Sequence, residues 1–147
     1  MTGYKAQDEV WFSDTQSIRN YPFLIVNQAE GFQNSAADGL IGLCPMQSVQ
    51  NSPPSVLDLL FENGLITSKK ISFSLRGLNE ESVLLFGEPD YSLALSQPEV
   101  NATMPLINKG TYYQISLSSP RYGPQPLSND QGVAILDTGT SLIVAPR

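Results

Sequence analysis

The sequence predicts a mainly β fold with one clear short helix. Three observations carry this expectation. Eleven Gly and eleven Pro are scattered without a period, which cuts the chain into short segments of the strand-and-turn kind. Ile71, Phe73 and Leu75 alternate with Ser72 and Ser74, the period of a strand with one wet face. Only the stretch from Pro53 to Gly64 combines helical spacing with a start and a stop signal.

Taken in order, Tyr21-Pro22-Phe23-Leu24-Ile25-Val26 is an aromatic and β-branched run expected to form a buried strand. Gly39-Leu40-Ile41-Gly42-Leu43 sets apolar residues between glycines and is expected to be a second core strand. The helix follows: Pro53-Pro54 presets φ at a first turn, Val56, Leu59 and Leu60 share a face, and Asn63-Gly64 supplies a left-handed cap. Strands are then expected at 71–75 and at 82–86, the second ending at Gly87, with a hairpin-like connection from Arg76 to Glu81. From Pro89 to Pro105 the chain turns polar and irregular, the best place for a boundary between two parts. Within it, Asn101-Ala102-Thr103 fits an N-glycosylation acceptor, or equally an unmodified surface loop. Tyr112 to Leu117 returns to strand character, Pro120 to Pro126 is a Pro-rich turn, and a short strand from Gly132 to Leu136 leads into Asp137.

Composition limits the chemistry. With 147 residues and 41% hydrophobic content, the chain is long enough for a core and too apolar for a disordered tail. Eight basic against fourteen acidic side chains give a net charge of −6, so the basic footprint of a nucleic-acid binder is missing. The absence of His removes the commonest general base and metal ligand, and a single Cys excludes an intrachain disulfide. No cofactor or metal is expected, and carboxylates are the natural candidates for catalysis. No run approaches the length of a membrane span, and the polar opening Met1 to Lys5 lacks the apolar stretch of a signal peptide.

The informative stretch is Val133-Ala134-Ile135-Leu136-Asp137-Thr138-Gly139-Thr140-Ser141-Leu142-Ile143-Val144. Apolar residues flank an acidic turn on both sides, which is expected to place Asp137 on a loop held by two buried strands. Hydrogen bonds from the Gly139 amide and from Thr140 or Ser141 would favour the ionised carboxylate and orient it, as a catalytic base requires. The plainer alternative is that Asp137 only closes a tight turn through its own side chain.

Here the sequence resembles the pepsin-like aspartic endopeptidases. Val133 to Pro146 is similar to the segment around that family's second catalytic aspartate, and Asp38-Gly39-Leu40-Ile41-Gly42-Leu43 to the strand that completes the ψ-shaped loop of its first lobe. The segments 55–64, 71–75, 83–87 and 112–115 occur in the family's order, and Met1-Thr2-Gly3 looks like the stretch just past the flap. The resemblance implies a partial pepsin-like fold, with residues 1–90 the later part of the first lobe and 91–147 the early part of the second. It makes Asp137 the catalytic carboxylate and Thr138 a buried hydroxyl bonding across to its twin. Gly139, Thr140 and Ser141 would steady the carboxylate and contact substrate backbone. Leu40, and more loosely Phe32, match substrate-pocket walls, with ordinary core packing as the alternative, and Tyr112 matches a residue on the leaving-group side. The partner implied is a peptide or protein substrate cleaved at acidic pH, in a secreted, lysosomal or vacuolar setting.

The family mechanism needs two aspartates sharing a proton, whereas only one Asp-Thr-Gly and no Asp-Ser-Gly occurs in these 147 residues. The first aspartate and the flap tyrosine are therefore expected upstream of Met1, and the strand that closes the second lobe's loop downstream. Activity is expected to need those lobe segments or a second chain, and the chain alone is expected to be inactive. Two alternatives stay open: a non-catalytic peptide-binding or structural module, and a homodimer that pairs Asp137 with its copy. Asp-Thr-Gly-Thr also resembles the phosphorylated turn of ion-pumping ATPases, but no Lys follows Asp137 and no phosphate-cradling Gly-Lys loop is present. Cys44 stands where relatives carry another residue and is expected to be a small buried hydrophobe.

Overall fold

The computed structural model describes residues 2–30, 37–45, 54–94, 103–107, 112–127 and 131–144. Met1, Phe32, Pro53 and the glycosylation candidate Asn101 lie outside the described residues. The chain divides into two compact units, one of Met1–Leu43 with Pro53–Leu95 and one of Cys44–Ser52 with Ser96–Arg147.

The first unit opens with a long antiparallel ribbon, β1 (Thr2–Ser13) against β2 (Gln16–Gln28), with Ser13 opposite Gln16 across a two-residue turn. Sequence patterning gave no warning of β1, because nine of its twelve residues are exposed and no buried face imprints a period. β2 contains the expected run at 21–26, but the expected burial fails: Phe23, Leu24 and Val26 are exposed, Leu24 at 62%. A two-stranded ribbon has no second layer over this end, and only its turn-proximal half reaches the core. Between Asp8↔Tyr21 and Val10↔Ile18 two residues of β2 oppose one of β1, a bulge in which Asn20 takes φ 57°. At Gly3 the strands approach so closely that a Cβ would stand 2.1 Å from the Ile25 carbonyl oxygen.

Helix α1 (Val56–Glu62) forms as expected in place, but its start is set by a different device. Pro54 precedes the N-cap rather than opening the first turn. Ser55 Oγ accepts from the Asp58 amide at 3.1 Å, and the Asp58 carboxylate accepts from the Ser55 amide, a reciprocal capping box. At the other end Leu65 N–H donates to Leu60 O at 2.9 Å and Gly64 N–H to Phe61 O at 3.0 Å. With Gly64 at φ 70° this is a Schellman closure. Val56, Leu57 and Leu60 are buried, and Val56 and Leu60 cluster with Ile18 from β2. Phe12, Tyr21, Leu43, Leu65, Ile66 and Phe86 surround that cluster, Phe86 edge-on to Phe12 with centroids 6.1 Å apart.

A second hairpin pairs β3 (Ile71–Ser74) with β4 (Val83–Phe86) antiparallel, in register from Ile71↔Phe86 to Ser74↔Val83. A short 3₁₀ turn at Tyr91–Leu93 follows, fastened when the Arg76 guanidinium donates to Leu93 O at 2.8 Å. The expected strand at 39–43 does not form, and Leu40 and Ile41 are 79% and 55% exposed. No strand among the described residues lends its edge to this segment, and a lone extended segment cannot satisfy its own backbone.

The second unit holds β5 (Gln114–Ser118) antiparallel to β8 (Gln131–Ile135), with a miniature hairpin between them, β6 (Arg121–Tyr122) against β7 (Gln125–Pro126). The Pro-rich turn is thus a hairpin, tightened by Gly123 at φ 59° ahead of Pro124. None of this unit's described residues is buried, and Cys44 is half-buried rather than buried.

Candidate active site

Antiparallel pairing of β5 and β8 delivers Asp137 to the end of a sheet. The ladder ends with Gln114↔Ile135 and is extended once more by Leu136 N–H donating to Tyr113 O at 2.9 Å. The chain then turns at Asp137, where Thr140 N–H reaches back to the Asp137 carbonyl at 3.4 Å. Both carboxylate oxygens are engaged: Gly139 N–H donates to Oδ1 at 2.9 Å and the Thr140 hydroxyl to Oδ2 at 2.5 Å. Side-chain acceptance from the residue two ahead is the natural geometry of an Asp that opens a turn.

Those donors decide the electrostatics. The Thr140 hydroxyl first, and the Gly139 amide second, hold the Asp137 carboxyl below the ordinary carboxylate range, with slight desolvation opposing them. A base kept ionised and fixed in direction is one half of acid/base chemistry. A proton donor is the other half, and Asp137 kept ionised cannot fill both roles at once.

The surroundings differ from expectation on two points. Leu142, Ile143 and Val144 form no strand and are 78% to 102% exposed, and Val133, Ile135 and Leu136 are also exposed. One paired strand, not two buried ones, therefore holds the turn. Thr138 is exposed rather than buried, because nothing among the described residues covers it.

Asp137, Gly139 and Thr140 are brought into one hydrogen-bonded group, with Thr138 and Ser141 on the same turn. Tyr112 lies at the same sheet end, half exposed, its carbonyl accepting from Gln114 N–H at 3.0 Å. Its neighbour Tyr113 is half-buried, and burial first, with an electrostatic contribution from Cys44 second, raises its phenol above the ordinary value. Leu40 belongs to the first unit and is 79% exposed, so it packs into no core among the described residues. A groove of about 320 Å³ in that unit, walled by Phe73, Leu75, Arg76, Leu85, Tyr91 and Leu93, contains none of these residues. Among the described residues no three His, Cys, Asp or Glu side chains gather closely enough to hold a metal ion. No described helix is long and apolar enough to cross a membrane.

Comparison with known proteins defines the class. The family model described as "Eukaryotic aspartyl protease" matches residues 1–147. The chain is 34% identical over 152 residues to the pregnancy-associated glycoprotein of Equus caballus, covering all of this chain and 38% of that protein. It is 30% identical over 151 residues to pepsin A-5 of Mus musculus, again covering the whole chain and 38% of the relative. Vacuolar protease A of Arthroderma otae matches at 30% identity over 99% of this chain and 37% of its own length. The chain belongs to the eukaryotic aspartyl protease family, and it spans less than two-fifths of the length of these curated relatives.

Proposed function

We propose that this chain carries one half of an aspartic endopeptidase active site, with Asp137 as one of two catalytic carboxylates, and that it is inactive without the other half. The observation that supports this is the Asp137 turn, an exposed carboxylate with both oxygens fixed by Gly139 and Thr140, in a chain of the aspartyl protease family. Residues 1–90 and 91–147 then belong to different lobes of the complete enzyme.

In the proposed reaction the ionised member of the pair takes a proton from water while the protonated member hydrogen-bonds the scissile carbonyl. The new C–O bond gives a tetrahedral intermediate, and its collapse breaks the C–N bond as a proton passes to the leaving amine. Donors that favour the charged form suit Asp137 to the ionised role when the pair first binds water. Thr138 would bond across to its counterpart beneath the pair. Ser141 would contact substrate backbone, Leu40 and Phe32 would line a side-chain pocket, and Tyr112 would flank the leaving group. Water and two carboxylates suffice, so no cofactor is invoked. The substrate is a peptide or protein, and the name of the fungal relative, vacuolar protease A, supports a vacuolar setting.

The test is a chimera in which this chain replaces the matching segment of mouse pepsin A-5. With Asp137 intact the chimera is expected to cleave a peptide at acidic pH, and Asp137→Asn to lower kcat by about a thousandfold or more. A folded chimera that is inactive with Asp137 intact supports the peptide-binding module instead. Full activity in Asp137→Asn removes Asp137 from the mechanism.

A further inference from the structure

Asn63-Gly64 is the sole Asn-Gly pair in the sequence, and it sits exposed at the end of α1. We propose that Asn63 is a site of spontaneous deamidation, gated by the hydrogen bonds that close the helix, and that its product undoes that closure. In this reaction the Gly64 backbone nitrogen, as it loses its proton, bonds to Asn63 Cγ. The Cγ–Nδ2 bond breaks and ammonia leaves, giving a five-membered succinimide. Water then opens the ring at either carbonyl, leaving aspartate or isoaspartate, so amide plus water becomes carboxyl plus ammonia.

Two features favour the site. Gly64 presents no side chain to shield its nitrogen, and nothing lies within 4 Å of where a Cβ would stand. The closure is also the end of a helix of only seven residues, where fraying is least costly.

Two other features hold the reaction back while the helix is closed. The Asn63 side-chain amide donates to Leu59 O at 2.8 Å. Gly64 N–H donates to Phe61 O at 3.0 Å. Both reacting groups are tied to carbonyls of the last turn and must be released before they can meet.

The product cannot return to this arrangement. A carboxylate has no proton for Leu59 O, and its charge falls at the negative end of the helix, next to Glu62 and with no basic residue in the last turn. Isoaspartate also lengthens the backbone within the Schellman closure. That closure places Leu65 against the cluster of Ile18, Val56 and Leu60, so its loss reaches the core of the first unit.

Peptide mapping of the full chain, incubated in mildly alkaline buffer with and without concentrated urea, tests the proposal. Asn63 is expected to convert ahead of every other Asn, more slowly in buffer than in urea, and faster in Ser55→Ala than in the parent chain. Asn63→Asp, which mimics the product, is expected to lower the urea midpoint of the helical signal, whereas Asn63→Gln, which retains an amide donor, lowers it less. Conversion of another Asn first overturns the site. Equal rates in buffer and urea overturn the gating, and an unchanged midpoint in Asn63→Asp overturns the consequence.

Discussion

Asp137 shows how much of a site four consecutive residues can determine. Its partners stand two and three positions ahead, so the hydrogen bonds that fix its carboxylate are local and were legible in Asp-Thr-Gly-Thr. Exposure was not legible, because the burial of Thr138 and of Leu142 to Val144 depends on surfaces far away in sequence. The lowered carboxyl value has a definite pH consequence. Its contribution to closing the turn is present above the ordinary carboxylate range and is lost as pH falls through the lowered folded value. Thr140→Val removes the strongest donor at nearly constant shape. Carboxyl NMR titration is expected to show Asp137 moving up toward its ordinary value, and no movement would show that the hydroxyl bond does not control it. Gly139→Ala is expected to disturb the same titration, since a Cβ there would press within 3.2 Å of Asp137 Oδ1.

Among the elements, α1 carries most of what sequence pattern could predict and supplies three of the four buried apolar side chains among the described residues. Ser55→Ala removes the N-cap acceptor and is expected to lower unfolding free energy by about 1 kcal/mol, read from urea denaturation. Lys69 first, and Ser55 second, hold the Asp58 carboxyl below its ordinary value. The capping box is therefore stabilising above the ordinary carboxylate range and is lost only as pH drops through the lowered value. Asp58→Asn is expected to flatten the acid limb of stability against pH. Leu60→Ala, at 2% exposure, should cost about 2 to 4 kcal/mol. β1 is exposed along most of its length, so hydrophobic pattern missed it, and 39–43 has no strand beside it among the described residues, so the expected strand there does not form. Gly3 supplies a test of the β1–β2 ribbon that pattern could not suggest. Gly3→Ala must displace the Ile25 carbonyl and is expected to destabilise the chain clearly, whereas Gly42→Ala, which meets nothing within 4 Å, is not.

At the scale of the whole molecule the deciding contrast lies between what is buried and what is not. The buried apolar side chains among the described residues are Ile18, Val56, Leu57 and Leu60, all in the first unit, and the second unit buries none of its described residues. Against them stand Trp11, Leu24, Leu75, Tyr91, Leu142, Ile143 and Val144, each more than half exposed. Family membership over all 147 residues, with about 38% of each relative's length spanned, fits surfaces that the rest of an aspartic protease would cover. The single Asp-Thr-Gly in the 147 residues supports the proposal that the chain carries half of a site. The most direct measurement is peptide hydrolysis at acidic pH by the purified chain, over a wide range of chain concentration, beside Asp137→Asn. No turnover by either protein at any concentration is the expected result. Turnover by the parent chain that disappears in Asp137→Asn would contradict it, because the chain, alone or paired with its own copy, would then hold a complete site.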